Sequence, residues 1–301
     1  MSLSNPLVTV LMPVYNGEKF LAEAIKSILK QTFKDFELLI IDDCSTDNSC
    51  DIINFFKDSR IQLIKNKNNI GQSRTMNNGI KISKGKYIAR IDQDDCSAYD
   101  RLEKQFNLIK NSNLSVVGTW CEKINLHSEI IGYINHPIEN DDIINSMAID
   151  SPFSHSSVII NKQHLIDNGL YSEIFNVAMD WDLWIKLATK GYKFYNIPEY
   201  LTKIRFHESQ ATADFNFIDE RLYLIDKGSL LPVKNKYYDY NRAWKLFYMI
   251  KRWKTRLIYN YFKSIGFHKT IYYSFLFVIL FINRKIVKSQ DKLYTYPSIY
   301  K

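Results

Sequence analysis

Four short apolar runs, each separated from the next by a stretch of helical period, constrain this chain more than any other feature. The runs are LVTVLMPVY (7–15), FELLIIDD (36–43), RIQLIKN (60–66) and KYIARI (86–91). After the first, Asn16-Gly17 signals a turn. EKFLAEAIKSILKQ then repeats apolar residues at Phe20, Leu21, Ala24, Ile25, Ile28 and Leu29, the spacing of a helix. STDNSCDIINFFKD opens with a Ser/Thr/Asp cap ahead of a second helix, and GQSRTMNNGIKIS reads as a third. Strands that are apolar on both faces and joined through helices predict an α/β fold. In it, a parallel sheet is covered by helices on both sides.

Ligands of such sheets bind at the carboxyl ends of the strands. Three of the four runs end there in polar groups: Tyr15-Asn16, Asp42-Asp43 and Asp92-Gln93-Asp94-Asp95. The Asp42-Asp43 pair has a plainer reading, because DDCSTDNS is also a good helix cap. The last cluster is harder to explain away. Three carboxylates within four positions destabilise a fold unless they are paired or bound to metal. Hard divalent cations such as Mn²⁺ and Mg²⁺ take one or two carboxylates together with phosphate oxygens. The cluster therefore points to a metal carrying a diphosphate. Neither GxxxxGK[ST] nor GxGxxG occurs, so a P-loop and a dinucleotide-binding turn are excluded.

The segments VTVLMPVYNGEKFLAEAIKSILKQTFKDFELLIIDDCSTDNS, NNIGQSRTMNNGI, GKYIARIDQDD and AMDWDLWIKLATKGYKFYNIP together resemble a family 2 glycosyltransferase of the GT-A fold. The resemblance runs from about residue 6 to about residue 212. It implies a mixed sheet flanked by helices, and transfer of a sugar from a nucleotide diphosphate donor to an acceptor hydroxyl, with inversion. By motif, Pro13, Tyr15, Asn16 and Glu18 would hold the nucleoside, Asp43 the base and Asp92 the ribose side. Asp94 would ligate the metal on the β-phosphate, Asp95 would brace the site or touch the sugar, and Arg74 would serve phosphate.

AMDWDLWIKL (178–187) corresponds to the family's Glu-Asp-x-Asp-Leu-Trp, which makes Asp180 the general base and leaves Met179 where Glu is common. Leu183, Trp184 and Leu187 would form the packed face of that helix. Trp181 and Asp182 fall on the acceptor side, although Asp182 also suits the first turn of a helix simply as an acid near its dipole. In RFHES (205–209), His207 would complete the metal shell or touch the diphosphate, and Arg205 would pair with phosphate. SPFSHSSVIINKQHL (151–165) resembles the acceptor side, with His155 as a contact.

At 301 residues the chain has room for one large α/β domain with an appendage, and 46% hydrophobic residues exclude global disorder. The expected division is a catalytic domain at 1–215, with donor half 1–97 and acceptor half 98–215, and an extension at 216–301. The cysteines, Cys44, Cys50, Cys96 and Cys121, lack metal-ligand spacing and read as reduced thiols of a cytosolic protein. The start, MSLSNPLVTV, lacks the pattern of a signal peptide.

Charge divides the chain in two. From Lys234 to Lys301 there are 15 Lys/Arg against 2 acids, whereas the remaining 233 residues carry 25 basic and 30 acidic groups. In RAWKLFYMIKRWKTRLIYNYFK, residues Arg242, Lys245, Arg252, Arg256 and Lys263 fall within an arc of about 80° on a helix. Trp244, Phe247, Tyr248, Ile258, Tyr261 and Phe262 fill the apolar arc, the composition of a helix lying in a membrane surface. IYYSFLFVILFI (271–282) has 12 residues, short of the roughly 20 that span a bilayer. Packing on the body or a homodimer contact would explain the same pattern. Nucleic acid is disfavoured by the acidic body and the sugar-nucleotide motifs, although basic residues among aromatics also suit single-stranded RNA. The expected setting is the cytoplasmic face of the cell membrane. There the donor would be a UDP-sugar carrying a hexose or N-acetylhexosamine. The acceptor would be a lipid-diphosphate-linked glycan of O-antigen or similar surface polysaccharide. The alternative is a catalytically silent nucleotide-sugar-binding partner in such an assembly.

Overall fold

The apolar runs pair as their two-faced burial demands. The structure is a computed structural model that describes residues 5–207 apart from 149 and 176, together with Glu220, Tyr223, Leu224, Lys227 and Leu231. Strands β1 (Val8–Val14) and β2 (Phe36–Asp42) are buried at every residue, so both faces of the sheet are covered there. They run parallel, in register from Val8 opposite Phe36 to Val14 opposite Asp42. Strand β3 (Ile61–Lys65) adds in parallel to β2, and β4 (Tyr87–Arg90) adds in parallel to the other side of β1.

The crossovers are helices α1 (Leu21–Leu29), α2 (Ser49–Phe55) and α3 (Gln72–Ile82). Helix α1 buries Leu21, Ala24, Ile25 and Ile28, the stripe its sequence period predicts. Because β2 and β4 lie on opposite sides of β1, the chain reverses its direction of winding at the β1–β4 boundary. The carboxyl ends of those strands frame the crevice where doubly wound sheets bind ligands.

Residues beyond β4 build the mixed half. In chain order they form β5 (Cys96–Ser97), α4 (Arg101–Ile109), β6 (Leu114–Ile124), β7 (Ile130–Ile134) and α5 (Asn140–Ser146). A 3-10 turn (His155–Ser157), β8 (Ile159–Asn161), α6 (Lys162–Asp167), α7 (Met179–Thr189) and β9 (Lys193–Arg205) follow. Among the described residues one nine-stranded sheet has the order β3-β2-β1-β4-β8-β6-β9-β5, with β7 beside β6. Strand β8 is antiparallel to both β4 and β6, while β9 runs parallel to β6 and antiparallel to β5. The all-parallel arrangement read from the apolar runs therefore holds for β1 to β4, and the whole sheet is mixed.

The basic aromatic stretch at 242–263 and the apolar run at 271–282 lie outside the described residues. Among the described residues no helix is long and apolar enough to cross a membrane.

Candidate active site

The loops after β1 and β2 are locked together. Asn16 has a left-handed backbone, φ 47°, which asparagine tolerates better than most residues. Its N–H donates to Ser45 Oγ at 3.0 Å, and its Oδ1 accepts the Thr46 N–H at 2.8 Å. Glu18 Oε2 accepts from the Asn48 N–H at 3.0 Å and from Asn48 Nδ2 at 2.8 Å. In return, the Glu18 N–H donates to Asp47 Oδ2 at 2.9 Å. Asp47 also accepts the Ser49 N–H at 3.0 Å, so it supplies the cap expected at the start of α2.

Tyr15 is 47% exposed at this rim. Its backbone is clamped by Gln93, which accepts the Tyr15 N–H at 2.8 Å and donates to the Tyr15 carbonyl at 3.0 Å. The carboxylate turn is thereby tied to the end of β1. Pro13 is buried within β1, opposite Ile41. Asp43 is buried as well. It accepts from Asn66 Nδ2 at 2.7 Å and from the N–H groups of Ile70 at 3.0 Å and Gly71 at 2.9 Å. Gly71 is left-handed, φ 84°, where its amide can reach that carboxylate and α3 can begin.

The chain itself cancels part of the carboxylate cluster's charge. The fully buried Arg90 guanidinium pairs with Asp92. Ser156 Oγ donates to Asp92 Oδ2 at 2.8 Å and accepts the Asp92 N–H at 3.0 Å. Burial pushes the Asp92 carboxyl up, but Arg90 and these hydrogen bonds outweigh it and hold it below the usual range. Asp95 is buried and accepts the Arg205 N–H at 2.8 Å; burial, then the Asp94 and Asp92 charges, push its carboxyl well up. Burial and the Asp92 charge also raise Asp94, against the pull of His207.

Asp94 Oδ2 and His207 Nε2 stand 2.9 Å apart, with side chains 19% and 14% exposed. The carboxylate oxygen is a donor for Mn²⁺ or Mg²⁺, and the imidazole, a softer donor, could join it as one further ligand. Among the described residues no group of three or more His, Cys, Asp or Glu side chains is arranged to hold a metal. A cation here would draw its other ligands from phosphate and water.

Two arginines expected at phosphate are engaged elsewhere. The Arg205 guanidinium is fully buried and donates to the Asp94 carbonyl at 3.0 Å, the Asn125 carbonyl at 2.9 Å and Glu23 at 2.6 Å. It lies 4.4 Å from the centre of the Phe20 ring, and so ties the end of β9 to the start of α1. Arg74 forms an exposed ion pair with Glu173 at 2.8 Å.

Asp180 sits in the first turn of α7, and Ser151 Oγ donates to its carboxylate at 3.3 Å. Burial, against the hydrogen bonds of Trp181 and Ser151, pushes the carboxyl up to about 6. The charges of Asp180 and Asp92 both act on Tyr171, whose hydroxyl is raised mainly by burial. The Tyr171 hydroxyl meets His155 Nε2 at 2.8 Å, and burial, aided by Arg90, drives that imidazole down to about 3.

His155 is therefore a neutral, part-buried partner of Tyr171. Trp181 is buried, and its Nε1 donates to the Met147 carbonyl at 2.9 Å. Asp182 is buried and paired with Lys186 at 2.8 Å and with Lys227. These contacts turn Trp181 and Asp182 into the protein, where the acceptor side had been expected. Met179 is also interior, accepting from Ser73 Oγ at 2.8 Å. Leu183, Trp184 and Leu187 are fully buried, as the sequence predicts.

Arg90, Gln93, Ser156 and Tyr171 escaped the sequence reading. Arg90 left a signal, a lone cation in an apolar strand just before the acids. Ser156 lies in the 151–165 segment that resembles the acceptor side, beside His155, and Tyr171 comes from a segment without any pattern.

The Glycosyl transferase family 2 model matches residues 9–175. Over 300 residues the chain is 31% identical to an uncharacterized glycosyltransferase of Methanocaldococcus jannaschii, covering 96% of each. Its fold is similar to that of S. aureus TarS 1–349 in complex with UDP-GlcNAc, with TM-score 0.62 and 18% identity, over 82% of this chain and 73% of that one. It is also similar to the mannosyltransferase PcManGT from Pyrobaculum calidifontis in complex with GDP-Man and Mn²⁺, with TM-score 0.57 and 14% identity, over 84% and 89% of the two chains. With the family model spanning more than half of the sequence and a relative matched along nearly its whole length, the chain belongs to glycosyl transferase family 2 and carries the GT-A fold.

Proposed function

We propose that this glycosyltransferase moves a hexose or N-acetylhexosamine from a UDP-sugar to a hydroxyl of a lipid-linked oligosaccharide, with inversion, in surface-polysaccharide synthesis of the O-antigen kind. The observation that carries the reading is the placement of Asp180, in the first turn of α7 with Ser151 Oγ donating to its carboxylate, where burial raises that carboxyl to about 6. A base with that value is about nine-tenths ionised at pH 7, yet basic enough to take a proton from an acceptor hydroxyl. Asp94 and His207 would hold Mn²⁺ or Mg²⁺ on the diphosphate. When bound, the cation offsets the negative charge that the leaving nucleoside diphosphate gains.

The exposed Tyr15 offers its ring to the nucleoside, while Asn16, Glu18, Asp43 and Gln93 fix the loops around it. Asp92, held ionised by Arg90, suits the ribose hydroxyls. Structures of TarS with UDP-GlcNAc and of PcManGT with GDP-Man and Mn²⁺ support a nucleotide diphosphate donor and a metal. Residues 1–215 would form the catalytic domain and 216–301 a basic extension that rests on the anionic inner face of the membrane.

A panel of UDP-, GDP- and dTDP-sugars, assayed with and without Mn²⁺, tests the reading, and the anomeric configuration of the product tests inversion. Asp180→Asn should keep donor binding and lose turnover about 100-fold, the scale of a missing general base. Full turnover by that variant would remove Asp180 from the role.

A further inference from the structure

Helix α7 begins without a cap of its own. Ala178, the residue at its N-cap, has no side chain that can accept a hydrogen bond. Amides that open a helix away from water need partners, and Ser, Thr, Asp or Asn normally supply them. Here Glu220 does so from beyond β9. One of its oxygens accepts the Val177 N–H at 3.0 Å and the Ala178 N–H at 2.9 Å. A carboxylate at that end also suits the positive pole of the helix dipole.

The neighbours of Glu220 meet the same helix and the segment before it. The Tyr223 ring centre lies 5.8 Å from that of Phe175, Leu224 is fully buried, and Lys227 pairs with Asp182. Glu220, Tyr223, Leu224 and Lys227 have helical backbone, and their spacing puts them on one helical face. That face holds α7 on both sides of Asp180: Val177 and Ala178 before it, Asp182 after it.

We propose that Glu220 is a positioning residue for the transfer reaction: its carboxylate fixes the first turn of α7, and with it the place of the Asp180 carboxyl beside the acceptor hydroxyl. The inference rests on Asp180 being the base. Displacing a reacting group by about 1 Å can cost 100-fold in rate, so a cap in the same turn has leverage on catalysis without touching substrate.

Glu220→Ala should lower kcat about tenfold or more and leave the donor KM within about twofold. Glu220→Gln, whose amide oxygen can still accept both N–H groups, should recover kcat to within about threefold of wild type. In an Asp180→Asn background, Glu220→Ala should cost nothing further, because the group it positions is gone. Hydrogen exchange supplies a readout apart from activity, with the Val177 and Ala178 amides protected in the wild type and faster in Glu220→Ala. An unchanged kcat, or an equal loss in both backgrounds, would overturn the positioning role. Unprotected Val177 and Ala178 amides in the wild type would overturn it too, even if the Ala variant failed to fold. Full turnover by Asp180→Asn alone would instead remove the base assignment and this role with it.

Discussion

Asp180→Asn should make the protein more stable at neutral pH while it silences the reaction. Burial raises this carboxyl from its ordinary 3.8 to about 6, so the folded chain prefers it protonated. A group shifted in that direction costs nothing below about pH 3.8. Its penalty grows as pH rises from 3.8 to about 6 and is constant above that. At about 1.4 kcal/mol per pKa unit the full penalty is on the order of 3 kcal/mol, and the partial solvent contact of Asp180 trims it towards 2. Asparagine keeps the shape and an acceptor for Ser151 but never ionises. Urea unfolding of both proteins at pH 4 and pH 8 reads the difference directly, provided the slopes with denaturant agree. The variant should gain about 2 kcal/mol over wild type at pH 8 and almost nothing at pH 4. The same ionisation should make wild-type turnover fall about tenfold per pH unit below pH 6. A variant no more stable than wild type at pH 8 would refute the claim that burial holds this carboxyl high.

Asp94→Ala should abolish metal-dependent donor binding, because this carboxylate would bridge to the diphosphate through the cation; calorimetry of a nucleoside diphosphate with and without Mn²⁺ would show it. Arg205→Met leaves Glu23 and the Asp94 and Asn125 carbonyls without the buried guanidinium that bonds them and should cost about 3 kcal/mol in urea unfolding, so a loss below about 1 kcal/mol would deny that Arg205 braces the site. Changing Arg242, Lys245, Arg252 and Arg256 together to Gln should release the protein from anionic vesicles at low salt, with turnover on a short soluble acceptor intact; equal flotation of both proteins would argue for packing or a dimer contact instead.

Strands β1, β2 and β4 were legible because runs buried on both faces carry a dense β-rich signal, β3 because Ile61, Leu63 and Ile64 keep that signal in a half-buried edge strand, and the helices between them keep a clear period. Strand order beyond β4 was not. It depends on β8, whose three residues Ile159–Asn161 are too few to show any period, and on pairings such as Val116 with Ile160 that join distant segments. In the site, the Asp92–Asp95 cluster could be singled out because acids after a strand stand out against apolar neighbours, whereas Asp180 was reached only through the resemblance to the family motif. Arg205 could not be placed, since a guanidinium suits a phosphate and a buried set of carbonyls equally well. The direction of Trp181 was hidden for a similar reason: only the fold brings the Met147 carbonyl to its indole. The cap of α7 was invisible locally, because its acceptor lies 42 residues beyond Ala178.

The mutual grip of the loops after β1 and β2 bears on how such enzymes can be re-engineered. Asn16 and Glu18 on one loop meet Ser45, Thr46, Asp47 and Asn48 on the other through backbone and side chain alike. A transplant of the 43–49 loop from a relative that uses another nucleotide would bring one half of a matched set. The left-handed Asn16 would then face strangers, and the rim would lose its shape before any new base could be read. The two loops form a single cassette, and, on the proposal that they hold the nucleoside, swapping donor preference by grafting calls for moving residues 15–18 and 43–49 together.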